Sequence, residues 1–143
     1  MRLHSKNAVI TGGASGIGRA ICRVFANEGA NVVIADIDER GGSETADLIA
    51  EDGGTAMFIP TDVSSIDSVA QMVDACISSV GSIDILVNDA AAFVFGTIET
   101  VSPTDWEKVL GVNVLGTANT VKSSLPYLKD SSGAAIVNIA SVS

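Results

Sequence analysis

Thr11-Gly12-Gly13-Ala14-Ser15-Gly16-Ile17-Gly18 stands between a short apolar run, Asn7-Ala8-Val9-Ile10, and a segment in which Ile17, Ala20, Ile21, Val24 and Phe25 recur at helical spacing. The local reading is strand, glycine turn, helix. About twenty residues beyond Gly16, a second apolar run ends at Asp36. A helix N-terminus attracts anions, because the amides of its first turn lack partners and the macrodipole adds positive potential. Glycines let that backbone approach a diphosphate, and a carboxylate at the distance of Asp36 can accept hydrogen bonds from both hydroxyls of an adenine ribose. The layout therefore predicts a dinucleotide site, with Gly12, Ser15, Gly16, Ile17 and Gly18 at the diphosphate and Asp36 and Ile37 at the ribose. The glycines at 12, 13, 16 and 18, with Ile at 21, depart from G-x-G-x-x-G, and no G-K-[ST] ending is present. Flavin and P-loop nucleotide readings fail on those two points.

The chain of 143 residues fits one domain, 1–143, large enough to bury a sizeable core. Hydrophobic residues make up 47% and aromatics 4%, so the core is aliphatic, as parallel strands covered on both faces require. A formal net charge of −9 argues against nucleic acid or an anionic membrane surface as a partner. Local backbone dipoles, rather than the overall field, have to hold an anionic cofactor. Cys22 and Cys76 fall on apolar stripes and have no metal-ligand spacing around them, which reads as two buried thiols in a reducing compartment. No signal-peptide stretch opens the chain and no run of 18 apolar residues occurs, so a cytoplasmic protein is expected. His4, the only histidine, lies in the N-terminal residues and is given no catalytic role.

Strand and helix patterns alternate five times without internal repeats, the signature of a doubly wound parallel sheet. Strands are expected near 7–11, 31–36, 55–60, 83–88 and 134–140, in the order 3-2-1-4-5, with helices near 16–28, 39–51, 66–80 and 103–129. The last helix opens on a cap, Ser102-Pro103-Thr104-Asp105. Trp106, Leu110, Thr117, Val121 and Leu125 are read as its inner stripe. Asn113 falls within that stripe, with Gly111 and Gly116 on either side. An interior glycine costs about 1 kcal/mol of helix propensity and an unpaired buried amide about 1–3 kcal/mol. Close packing, a kink or a use for the site has to compensate. Asn113 hydrogen-bonded simply to a neighbouring strand is an equal alternative.

Ligands of open α/β sheets bind beyond the carboxyl ends of the strands. Every such end here offers a polar group: the glycine loop, Asp36, Asp62, Asn88 with Asp89, and Asn138 with Ser141. Together they describe one crevice. Asp36 followed by Ile37, with Ser15 in the glycine loop, leaves nothing to neutralise a 2′-phosphate, so NAD is favoured over NADP. Asp62 and Val63 read either as an adenine contact or, for Asp62, as the N-cap of the helix from Ile66.

T-G-x-x-x-G-x-G with these neighbours resembles the short-chain dehydrogenase/reductase family in its single-domain form, and the resemblance covers all 143 residues. It implies a Rossmann-like fold and hydride transfer between a nicotinamide and an alcohol or carbonyl substrate. An aspartate at Asp62 then touches the adenine, and an N-N-A-G segment lies along the cofactor. That segment reads Asn88-Asp89-Ala90-Ala91, so Asn88 and Ala90 match, while Asp89 brings a negative charge and Ala91 a methyl close to the nicotinamide ribose. By the same resemblance Asn113 organises a proton-relay water and Ser141 bonds the substrate oxygen. Its alternative is a strand-end serine capping the next turn.

The resemblance also implies a tyrosine and lysine, Y-x-x-x-K, about a dozen residues past Ser141, and the sequence stops at Ser143. Tyr127 is no substitute, because it precedes Ser141 and has Ser131 four residues on. The chain is read as a cofactor-binding portion that is inactive alone, with a non-catalytic NAD-binding or interaction module as the alternative. Helices that include the equivalent of 103–129 join copies in the family, so a homo-oligomer is expected. With no later helices, Ile83, Ile85, Leu86 and Val87, and with them Ile136, Val137 and Ile139, are expected to leave apolar surface bare beside an open edge. Phe93 and Phe95 read as an apolar pocket wall or as ordinary packing.

Overall fold

A computed structural model describes residues 1–141. Its strands are β1 (Asn7–Thr11), β2 (Asn31–Asp36), β3 (Thr55–Pro60), β4 (Ile85–Asn88) and β5 (Ala135–Asn138), all paired in parallel in the order β3-β2-β1-β4-β5. Between them run α1 (Gly16–Asn27), α2 (Glu39–Glu51), α3 (Ile66–Val80), α4 (Pro103–Leu110) and α5 (Thr117–Asp130). The expected doubly wound sheet is present, with β4 and β5 shorter than the sequence suggested.

The pleat sends alternate side chains of the central strands to opposite faces, and each face builds its own core. Ala8, Ile10, Val32 and Ile34 meet Cys22, Ala26 and Ile49 of α1 and α2. Val9, Val33 and Leu86 meet Val69, Met72, Val73 and Cys76 of α3 and Leu128 of α5. Each fully buried Ile, Leu or Val contributes about 1.5–3 kcal/mol, so these two layers carry the fold. Burial pushes the Cys22 thiol up to about 12 and the Cys76 thiol up to about 11, so both stay protonated and inert.

The expectation of a bare β4 is wrong. Ile83, Ile85, Leu86 and Val87 are all buried, because β4 lies between β1 and β5 and its residues join both cores. Only β5 fits the expected bare edge: Ile136, Val137 and Ile139 are each about 40% exposed.

The long helix is also different from its sequence reading. α4 begins at the expected cap, which is a capping box between Ser102 and Asp105, but Gly111–Gly116 forms a π-helical turn before α5. The buried face is Gly116, Thr120, Ser124 and Leu128, spaced four apart, whereas Trp106, Leu110 and Leu125 are exposed. Small side chains line the inner face because the helix lies close: a Cβ on Gly116 would stand 2.6 Å from Val63 Cγ2. Of the stripe expected from large apolar residues, Val121 packs against the core and Thr117 is half-buried, but the fully buried face runs beside it.

At the amino ends of the strands, Asp84 accepts from the Asn7 amide at 2.9 Å, from the Ser131 hydroxyl and from Lys6 Nζ at 3.4 Å. Burial pushes its carboxyl up, but those three donors together outweigh it and hold it below the ordinary range. Stability from this group is present above the unfolded-state value of about 3.9 and is lost as pH falls through the lower folded one. Asp84→Asn should therefore lower stability by about 1–3 kcal/mol at pH 7 and narrow the gap to the unsubstituted chain toward pH 3, as read by urea denaturation at both values.

Candidate functional site

The carboxyl ends of β1, β2 and β4 converge on the glycine loop. Gly12 (φ +73°) lies so close to the segment after β4 that a Cβ would stand 2.8 Å from the Ala90 amide nitrogen. Thr11 Oγ1 ties the same segment by accepting from the amides of Asp89 and Ala90, both at 3.1 Å. On the other side, a Cβ on Gly18 would fall 2.1 Å from the Gly12 carbonyl oxygen. Gly16 (φ +53°), by contrast, faces open space. Ser15 sits at the N-cap without bonding the first turn through its side chain, and Ile17 is 62% exposed. Loop and helix thus present an open cradle of main-chain amides.

Asp36 is held by two amides: Oδ2 accepts from Ala14 N and Oδ1 from Asp38 N, each at 3.0 Å. Each oxygen keeps a lone pair for a further donor. Ile37 beside it is 74% exposed. The sequence reading placed no cation here, yet Arg19 of α1 reaches the loop and donates to the Ala14 carbonyl, to the Gly41 carbonyl and to Thr45 Oγ1. Glu44 pairs with it at 3.5 Å and with Arg40 at 3.0 Å, so both cations are engaged. Gly41 was the signal in the sequence: without a side chain it lets α2 start close to Ala14, where a Cβ would stand 2.9 Å from the Ala14 carbonyl oxygen.

Asp62 is not the N-cap of α3. Ser65 fills that role by accepting from Ser68 N, while Asp62 Oδ1 accepts from the amide and hydroxyl of Ser64. Val63 is buried and its carbonyl accepts from Asn119 Nδ2 at 3.0 Å. Asn88 is buried in a polar chain, with Oδ1 accepting from Thr120 at 2.6 Å and Nδ2 donating to Asn138 Oδ1 at 2.9 Å.

Asn113 sits inside the π turn, where its side chain meets the backbone of Ala92 twice: Oδ1 accepts from the amide at 2.8 Å and Nδ2 donates to the carbonyl at 3.0 Å. It braces the segment after β4 against the helix. Ser141, three residues past β5, is exposed. Tyr127 packs against the α3 side of the core, near Ser82, Asp84 and Ser131 at the opposite end of the sheet from the glycine loop. Phe93 and Phe95 are 66% and 95% exposed and pack into no core. The Asp89 carboxylate turns toward the start of α1, where its Oδ2 lies 2.9 Å from the place a Gly18 Cβ would take.

A parallel doubly wound sheet with a glycine-loop cradle and a fixed acid at the end of β2 is a Rossmann-like architecture. The chain matches the family model described as short chain dehydrogenase over residues 6–143. It belongs to that family. Among its relatives, the short chain dehydrogenase/reductase astE of Aspergillus oryzae is 42% identical, over 97% of this chain and 54% of that protein. An uncharacterized oxidoreductase of Thermotoga maritima is 40% identical, over 99% of this chain and 55% of that one. The crystal structure of a short chain dehydrogenase/reductase from Burkholderia phymatum in complex with NAD superposes with a TM-score of 0.94 at 37% identity, covering 99% of this chain and 51% of that one. The chain thus spans about half the length of the relatives it matches.

The Gly18–Gly12 contact yields a sharp expectation. Gly18→Ala forces a methyl onto a main-chain carbonyl that cannot move without Ala90, so it should abolish the cooperative thermal transition or lower stability by about 3 kcal/mol or more. Differential scanning calorimetry of the variant against Gly16→Ala, which meets no neighbour, separates this clash from the strain of positive φ.

Proposed function

We propose that this chain is the NAD-binding portion of an oxidoreductase that transfers hydride between a nicotinamide and an alcohol or carbonyl substrate. The observation that carries the reading is Asp36, fixed by the Ala14 and Asp38 amides beside an open cradle at Gly16. That geometry fits a dinucleotide, and the NAD in the Burkholderia phymatum relative supports the choice.

On this reading the amides of Ser15, Gly16 and Ile17, with Gly12 and Gly18 shaping the turn, hold the diphosphate. Asp36 accepts from the ribose hydroxyls, with Ile37 alongside. Asp62 and Val63 meet the adenine, and Asn88 and Ala90 line the path toward the nicotinamide. The dinucleotide when bound supplies the hydride acceptor or donor. NAD is preferred over NADP because Asp36 would repel a 2′-phosphate while Glu44 engages Arg19 and Arg40.

Ser141 bonds the substrate oxygen. Asn113 fixes the segment after β4 through Ala92, and its carbonyl, which accepts from Thr117 Oγ1, keeps a second lone pair for a proton-relay water. A group that exchanges a proton with the substrate oxygen is also needed, and the 143 residues contain no Y-x-x-x-K. The chain by itself is accordingly expected to bind but not to turn over. A second copy is the expected protein partner, with Trp106, Leu110, Val114 and Leu115 exposed on the outer helix face. No helix among the described residues is long and apolar enough to cross a membrane. The two unpaired, buried cysteines suit a reducing, cytoplasmic setting.

Isothermal titration should give tighter binding of NADH than of NADPH by about tenfold or more, and Asp36→Ala should bring the two within a few-fold. Equal affinities for the unsubstituted chain would remove the role given to Asp36. Steady oxidation of NADH with a panel of ketones by the chain alone would favour a different catalytic group.

A further inference from the structure

Asp89 brings a carboxylate to the place where the proposed cofactor would deliver its own negative charge. Its position is set by main chain: Thr11 Oγ1 accepts from the Asp89 and Ala90 amides, and Gly12 packs on Ala90 without room for a Cβ. The carboxylate lies against the Gly18 backbone, with Oδ2 2.9 Å from where a Gly18 Cβ would stand. Gly18 is in the first turn of α1, whose amides form the cradle.

Among the described residues no cation pairs with Asp89. On α1, Arg19 is turned to Ala14, Gly41, Thr45 and Glu44, and Arg23 pairs with Asp52 at 2.7 Å. Cys22 of α1 senses the charges of both Asp89 and Asp36 and is itself protonated. From β1 the facing group is the Thr11 hydroxyl, and from the π turn the neutral Asn113 meets the same loop at Ala92. A carboxylate in this place cancels part of the positive potential of the helix N-terminus.

We propose that Asp89 sets the cofactor affinity and makes it pH-dependent: ionised, it opposes the diphosphate across the first turn of α1, and protonated, it does not. The proposal rests on the dinucleotide reading above. Partial burial raises the Asp89 carboxyl above its ordinary value, with the Gly18 amide opposing that shift. The diphosphate raises it further, and binding there takes up a proton.

Asparagine at this position keeps an oxygen for Gly18 N–H and removes the charge. NADH affinity, followed by its fluorescence on binding, should weaken about three- to tenfold from pH 5 to pH 8 in the unsubstituted chain. Asp89→Asn should bind three- to tenfold tighter at pH 8 and vary little with pH. Titration calorimetry of the unsubstituted chain near pH 5.5, in two buffers of different ionisation enthalpy, should show net proton uptake, a readout that needs no variant. Equal affinities with the same pH profile in both proteins, or no proton uptake, overturn the proposal alone. Failure of both proteins to bind NADH at any pH overturns the cofactor reading and this proposal with it.

Discussion

The molecule is organised around a close approach of three main-chain segments. The Gly12 carbonyl lies against Gly18, the Gly12 α-carbon lies against Ala90, and Thr11 Oγ1 gathers two amides from the strand next door. No Cβ fits at Gly12 or Gly18 in that junction. Because it joins β1, the start of α1 and the exit of β4, it fixes how the helix points at the sheet rim. The two cores on either face supply the free energy, and the junction supplies the geometry. A shift of either contact by one methyl moves the cradle.

Much of this was legible in the sequence. The strands β1, β2 and β3 match their expected bounds, because apolar runs closed by Thr11, Asp36 and Pro60 leave little freedom in where a parallel strand begins and ends. The order of the sheet followed from alternation of strand and helix. Asp36 and the glycine loop were recognisable because their chemistry depends on spacing along the chain, which sequence records directly.

What was not legible depends on which way a side chain turns. That Asp89 lies against Gly18 is not written in the spacing, because the Thr11 hydroxyl orients its backbone from the neighbouring strand. Asp62 and Ser65 compete for one cap, and only the loop path decides for Ser65. The inner face of α5 was misread for a related reason. Large apolar residues usually mark burial, but here the gap to the sheet is narrow, and Gly116, Thr120 and Ser124 fill it. Leu110 and Trp106, too bulky for that gap, face outward.

The π turn at Gly111–Gly116 has a mechanical meaning beyond its bonding. An extra residue in a helix advances its angular phase by about 100°, so the two halves on either side are no longer in step. The lateral orientation of α4 is thereby decoupled from that of α5, whose small-residue ridge is seated on the sheet. One half can be tailored to whatever lies beyond the domain while the other stays locked to the core, and the asparagine at the joint holds the setting.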